Sequence, residues 1–151
     1  MFDYDYILKD SGAVTSSGYG TVDSEAQVLN LGEGLIRGNV HIEVGAMKMN
    51  NNNQLYQIHL MGGDDSDFTN QVALASIELG CREVIEGTKD SKLGRYILPF
   101  ENEQNGVIYP YVRVRHTIGG TSPSINYVAR LEKDLPVLGR TTQITTTTTT
   151  T

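Results

Sequence analysis

A chain of 151 residues with 38% hydrophobic residues, one cysteine and no tryptophan is the size of one domain with one core, burying about 68–70% of its unfolded surface. Its formal net charge of −6 opposes long-range attraction to nucleic-acid phosphate and to anionic membranes. Cys81 alone makes no intramolecular disulfide, and no run approaches the roughly 18 apolar residues of a membrane helix.

The chain starts "MFDYDYILKDSG", without the positive n-region and small-residue cleavage site of a secretory signal, so the expectation is synthesis in the cytoplasm. Phe2, Tyr4, Ile7 and Leu8 are apolar and Asp3 and Asp5 intervene. Residues 1–12 therefore read as an N-terminal arm, either an edge strand on its own sheet or an anchor on another subunit, because terminal segments order only when tied down. In "NVHIEVGA", Val40, Ile42 and Val44 alternate with His41 and Glu43, the pattern of a strand with one face in a core and one in water. "QLYQIHLM" repeats it, with Tyr56, Ile58 and Leu60 opposite Gln57 and His59, and so does "INYVARLEK", with Ile125, Tyr127, Ala129 and Leu131 on one face.

Turn-rich stretches separate these windows at 49–54, 62–67, 86–92, 101–106 and 119–124, each supplied with Gly, Asn, Asp, Ser or Pro. "DFTNQVALASIELG" fits a helix or a strand; its neighbours favour a loop over 64–71 followed by a strand. Short strands at regular spacing, without a long 3.6-residue period, predict an all-β antiparallel sandwich or barrel over residues 13–135. Residues 136–151, ending in seven threonines, have no alternating faces and read as a C-terminal tail, frayed or ordered only against a neighbouring chain.

Three groups of residues are candidates for chemistry. Asp64, Asp65 and Asp67 follow a Gly-Gly pair, but from Asp64 the spacing puts Phe68, Thr69 and Ala75 where an EF-hand needs a ligand, glycine and glutamate; a solvated turn accounts for the acids. His41, His59 and His116 are the histidines of a cupin-type metal site, yet no His-x-His pair exists, and His41, Glu43 and His59 would project from polar outer faces. Cys81 precedes Arg82, an arrangement that activates a thiol, although a lone cysteine ending an apolar run is more often a small core residue. No nucleophile elbow, phosphate loop or dinucleotide fingerprint appears, so no catalytic, metal or cofactor residue is expected and the chain does not read as an enzyme.

"VIYPYVRVRHTI" carries the most unusual face. Alternation puts Ile108, Val112 and Val114 on one side and Tyr109, Tyr111, Arg113 and Arg115 on the other. Tyrosine and arginine are enriched at interface hot spots; the alternative is a solvent face with cross-strand contacts to acids such as Glu101 or Glu132. Pro110 marks an edge strand or a bulge.

In order along the chain, "ILKDSGAVTSSG", "AQVLNLGEG", "NVHIEVGA", "QLYQIHLMGGDDSDFTNQVALASIEL", "GRYILPF" and "PYVRVRHTIGGTSPSINYVARLEKD" resemble the capsid cement (decoration) proteins of tailed phages, the type first recognised on a short-tailed phage. The similarity spans most of residues 7–133; the threonine run and the Asn-rich turn at 50–53 depart from it. The resemblance implies a jelly-roll sandwich on the outer surface of an icosahedral head, bridging major capsid subunits, with the acidic loop as a polar connection anchored by Phe68. It implies the major capsid protein as partner together with self-association as a homodimer or homotrimer, and no nucleic-acid or membrane contact. Phe2, Tyr4, Tyr109, Tyr111, Arg113 and Arg115 are the candidate capsid or subunit interface. The rival expectation is a carbohydrate-binding or host-adhesion module in which Tyr109 and Tyr111 stack on a sugar ring.

Overall fold

The computed structural model describes residues 6–81 and 91–133. Fourteen strands occur among them, every pairing antiparallel. They are β1 (Ile7–Lys9), β2 (Ala13–Val14), β3 (Gly18–Tyr19), β4 (Thr21–Val22), β5 (Glu25–Ala26), β6 (Leu29–Asn30) and β7 (Arg37–Met47), followed by β8 (Leu55–Gly63), β9 (Gln71–Gly80), β10 (Gly94–Glu101), β11 (Glu103–Gln104), β12 (Val107–Ile108), β13 (Tyr111–Gly119) and β14 (Ile125–Lys133). The first sheet runs β1-β14-β7-β10, with β2 also on β14; the second runs β3-β13-β8-β9, with β6 also on β13. β4–β5 and β11–β12 form separate two-stranded ribbons.

The two large sheets pack face to face, and period-two alternation fills the space between them. Val40, Ile42, Val44, Ile125, Tyr127, Ala129 and Leu131 come from the first sheet; Tyr56, Ile58, Leu60, Val112 and Val114 come from the second. The expected all-β antiparallel sandwich is therefore the fold. Residues 71–80 are a strand, as their neighbours predicted, because β9 pairs with β8 along its whole length.

The ambiguity over the N-terminal arm resolves for part of it. β1 pairs with β14 as an edge strand, and Leu8 is fully buried in the core. Phe2, Tyr4 and the threonine tail lie outside the described residues, as do Arg82 and most of the turn at 86–92.

Pro110 marks neither an edge strand nor a bulge. It sits between β12 and β13, and β13 is interior to its sheet, with β8 on one side and β3 and β6 on the other. A proline just before a strand withholds no ladder donor from the strand itself.

The interior also holds polar groups. Lys9 Nζ donates to the carbonyls of Tyr127 (2.7 Å), Asp10 (2.8 Å) and Gly12 (3.0 Å) and lies 4.4 Å from the Tyr127 ring centroid. The Tyr127 hydroxyl in turn meets His116 Nδ1 at 2.7 Å. Burial lowers the pKa of Lys9 and raises that of Tyr127. Burial, and next the Lys9 charge, bring His116 down to about 4.

Candidate interaction face on the second sheet

On β13, Val112, Val114 and His116 point into the core, leaving Tyr111, Arg113, Arg115 and Thr117 on the outer face. The register sets Arg115 beside Tyr19 on one flank and His59 on the other, with Ser76 next to His59. Two residues along, Arg113 lies beside Met61, which lies beside Ala73. One row is thus Tyr19-Arg115-His59-Ser76, and the next is Arg113-Met61-Ala73.

Two aromatic rings sandwich the Arg113 guanidinium. Its Cζ stands 3.8 Å from the Tyr19 centroid and 4.0 Å from the Phe68 centroid, inside the range of a cation–π contact. Nη2 donates a long hydrogen bond to Gln71 Oε1 at 3.4 Å, and buried Nε has no partner among the described residues. Tyr19 remains 40% exposed.

The acidic loop holds Phe68 in place. Asp65 Oδ1 accepts from the N–H groups of Asp67 (3.0 Å) and Thr69 (3.1 Å), while Asp64 accepts from Asn70 N (3.1 Å) and Nδ2 (2.6 Å). The Thr69 backbone bond, followed by the Thr69 hydroxyl, holds the Asp65 carboxyl below its ordinary value. Phe68 takes a positive φ of 54° and donates its N–H to Asp65 O, which folds its ring over Gly63. A Cβ on Gly63 would stand 2.5 Å from that ring, so only glycine lets the ring lie against the strand. The loop is a self-bonded connection with Phe68 as its anchor.

The other predicted residues divide. Tyr111, Arg113 and Arg115 share the outer face as alternation expected. Tyr109 does not: it is only 9% exposed, its N–H donates to Asn102 O, and its carbonyl accepts from Asn102 Nδ2. Ile108, expected inside, is 39% exposed. The physical reason is Pro110, which interrupts the strand so that the alternation counted backward from Val112 no longer holds.

His41 also corrects an expectation. It lies on the outer face of its strand but is 7% exposed, because Ile97 and Arg130 flank it in register and Glu132 bonds its Nε2 at 2.9 Å. His41, His59 and His116 occupy the outer face of the first sheet, the outer face of the second and the core, so they do not converge. Among the described residues no group of three His, Cys, Asp or Glu could hold a metal ion. Cys81 is buried, its thiol near Gln54 Oε1 (3.5 Å) and Met49 O (3.7 Å). An open hollow of about 470 Å³ between the sheets is lined by Leu74, Pro99, Phe100 and the Arg37–Glu101 ion pair; no base and nucleophile meet there.

Tyr19 is the site residue that sequence reasoning missed. It stands in a two-residue strand within a Gly- and Ser-rich stretch, and only its stacking on the Arg113 guanidinium gives it a role.

The outer face of the first sheet is built differently. Arg95 and Arg130 both reach Glu43, at 2.5 and 3.8 Å, and Arg37 reaches Glu101 at 2.7 Å. The Arg95 hydrogen bond is the main cause of the lowered Glu43 pKa, and the His41 hydrogen bond lowers that of Glu132. Neither known protein families nor curated proteins match this chain.

Proposed function

We propose that the protein is a structural virion component that binds the outer surface of an icosahedral phage head as a cement or decoration protein, bridging major capsid subunits and stabilising the shell. The observation that carries the reading is the second sheet's outer face, where Arg113 is locked between Tyr19 and Phe68 with Arg115 and Tyr111 beside it. Rigid aromatic and arginine side chains lose little entropy on binding and dominate interface energies. The strand orders β1-β14-β7-β10 and β3-β13-β8-β9 support reading the sandwich as a jelly roll, the double-sheet arrangement of many capsid domains. A net charge of −6 suits a protein kept outside a packaged genome.

Such a protein works by binding free energy and not by chemistry. A subunit that binds only the mature shell stabilises it by RT ln(1 + [L]/Kd) per independent site, and icosahedral repetition, with self-association into dimers or trimers, multiplies the effect. The sugar-binding alternative is weakened by Tyr109, whose burial removes one of its two stacking rings. The test is co-sedimentation with shells assembled without the protein, followed by parallel heating of bare and decorated particles. Stoichiometric binding and a higher rupture temperature are expected; protein left in the supernatant with rupture unchanged refutes the proposal.

A further inference from the structure

The five arginines among the described residues are satisfied in two ways. Arg37, Arg95 and Arg130, all in the first sheet, are ion-paired to Glu101 or Glu43. Arg113 and Arg115, both on β13, have no carboxylate partner among the described residues: Arg113 touches two rings and the neutral Gln71, and Arg115 is exposed. The acid nearest Arg115 on this face by register is Glu78. It lies two strands and two residues away, about 12 Å by strand spacing, and already accepts from Gln57 Nε2 at 2.8 Å. Asp64 and Asp65 are occupied by their own loop.

We infer that this face receives an acidic segment of a protein partner, with one carboxylate seated on Arg115 and His59. His59 is Arg115's cross-strand neighbour, and its Nδ1 meets Ser76 Oγ at 2.7 Å; in the tautomer where Nδ1 accepts from that hydroxyl, Nε2–H is the donor that meets a carboxylate. A guanidinium presents a planar fork that matches a carboxylate with two parallel hydrogen bonds. Arg113, stacked against the Tyr19 and Phe68 rings two residues away, adds positive charge to the same face. The choice of a protein acid over nucleic-acid phosphate follows from charge: two arginines cannot offset the long-range repulsion between a −6 chain and a polyanion. A short segment with a few acidic side chains meets mainly the local positive potential.

The inference rests on the binding role proposed above, and its test separates the two. Wild-type, Arg115→Glu and Arg115→Lys proteins are titrated with a ten-residue glycine-serine peptide bearing two glutamates (the acidic peptide), the same peptide with lysines in place of the glutamates, and duplex DNA, and then with capsid shells at 50 and 500 mM NaCl. Arg115 bonds nothing else among the described residues, so unchanged thermal unfolding of both variants is the control for folding.

Expected is binding of the acidic peptide but not of the lysine peptide or DNA, lost at least tenfold in Arg115→Glu and partly kept in Arg115→Lys, since a hydrogen bond to a charged group is worth about that factor. Shell binding should weaken severalfold with salt and fail in Arg115→Glu. Binding of the acidic peptide without shell binding sustains the acidic-ligand site and sinks the capsid role. Shell binding indifferent to salt and to Arg115→Glu, equal affinity for DNA, or no binding of the acidic peptide overturns the inference.

Discussion

Replacing His116 by glutamine tests whether the core holds a neutral imidazole. His116 is buried beside the Tyr127 hydroxyl, with the Lys9 ammonium over the same tyrosine ring, and its folded pKa is about 4 against 6.5 unperturbed. Between those values the unfolded chain binds the proton and the folded chain does not. Stability is therefore full above pH 6.5, declines as pH falls, and bears the whole penalty below pH 4. A gap of this size corresponds to about 3.4 kcal/mol in all, and to about 2.4 kcal/mol between pH 7 and 4.5. At a urea dependence of about 2 kcal/mol per molar, the midpoint moves by about 1 M.

The assay is urea unfolding from pH 7 to 4.5, followed by far-ultraviolet circular dichroism and by tyrosine emission, since the chain has eight tyrosines and no tryptophan. His59, whose pKa burial and then Arg115 also lower, and the surface carboxylates titrate alike in both proteins and cancel in the comparison. His116→Gln has lower stability at pH 7 but a flatter pH profile. Parallel loss in the two proteins refutes the buried neutral histidine.

Three further outcomes follow from close contacts. A Cβ at Gly38 would stand 2.0 Å from the Glu132 carbonyl oxygen, so Gly38→Ala should cost about 2–3 kcal/mol in urea unfolding, whereas Gly45→Ala, with nothing within 4 Å, should cost little. Phe68→Ala strips one ring from Arg113 and uncovers Gly63; about 3 kcal/mol of destabilisation is expected, together with faster modification of Arg113 by an arginine-selective reagent. Asp65→Ala releases the amides of Asp67 and Thr69, so hydrogen exchange there should speed up while β8 and β9 stay protected.

How much was legible in the chain depended on whether the deciding force was local. Val40-Ile42-Val44, Tyr56-Ile58-Leu60 and the Ile125–Leu131 stripe announced their strands because a half-buried strand needs nothing beyond its own period of two. β2 to β6, each two residues long, could not be read that way: β2, β3 and β6 pair on the longer β14 and β13, β4 and β5 pair with each other, and the information lies in the partner. Tyr109 and Ile108 were misplaced because the alternation was carried across a proline. His41 was assigned to the right face and the wrong environment, since its burial comes from Glu132 and Ile97 on strands that sequence spacing does not bring near it. Phe68 was legible as an anchor, but Tyr19, the other half of the guanidinium sandwich, was not.

The same non-locality explains why the candidate face emerges only in three dimensions. Read along the chain, "YVRVR" is a strand with two arginines, and "GRYILPF" is another with one. Folding sends them to opposite sheets: β10 lies against β7, where Arg95 meets Glu43, while β13 lies between β3 and β8, whose facing residues Tyr19, His59 and Met61 carry no acid. A surface ion pair contributes little to stability, so pairing on the first sheet brings the fold small energetic gain. Its main effect is to neutralise that face, so that among the described arginines the unpaired, partly rigid positive charge is that of Arg113 and Arg115 on the second sheet.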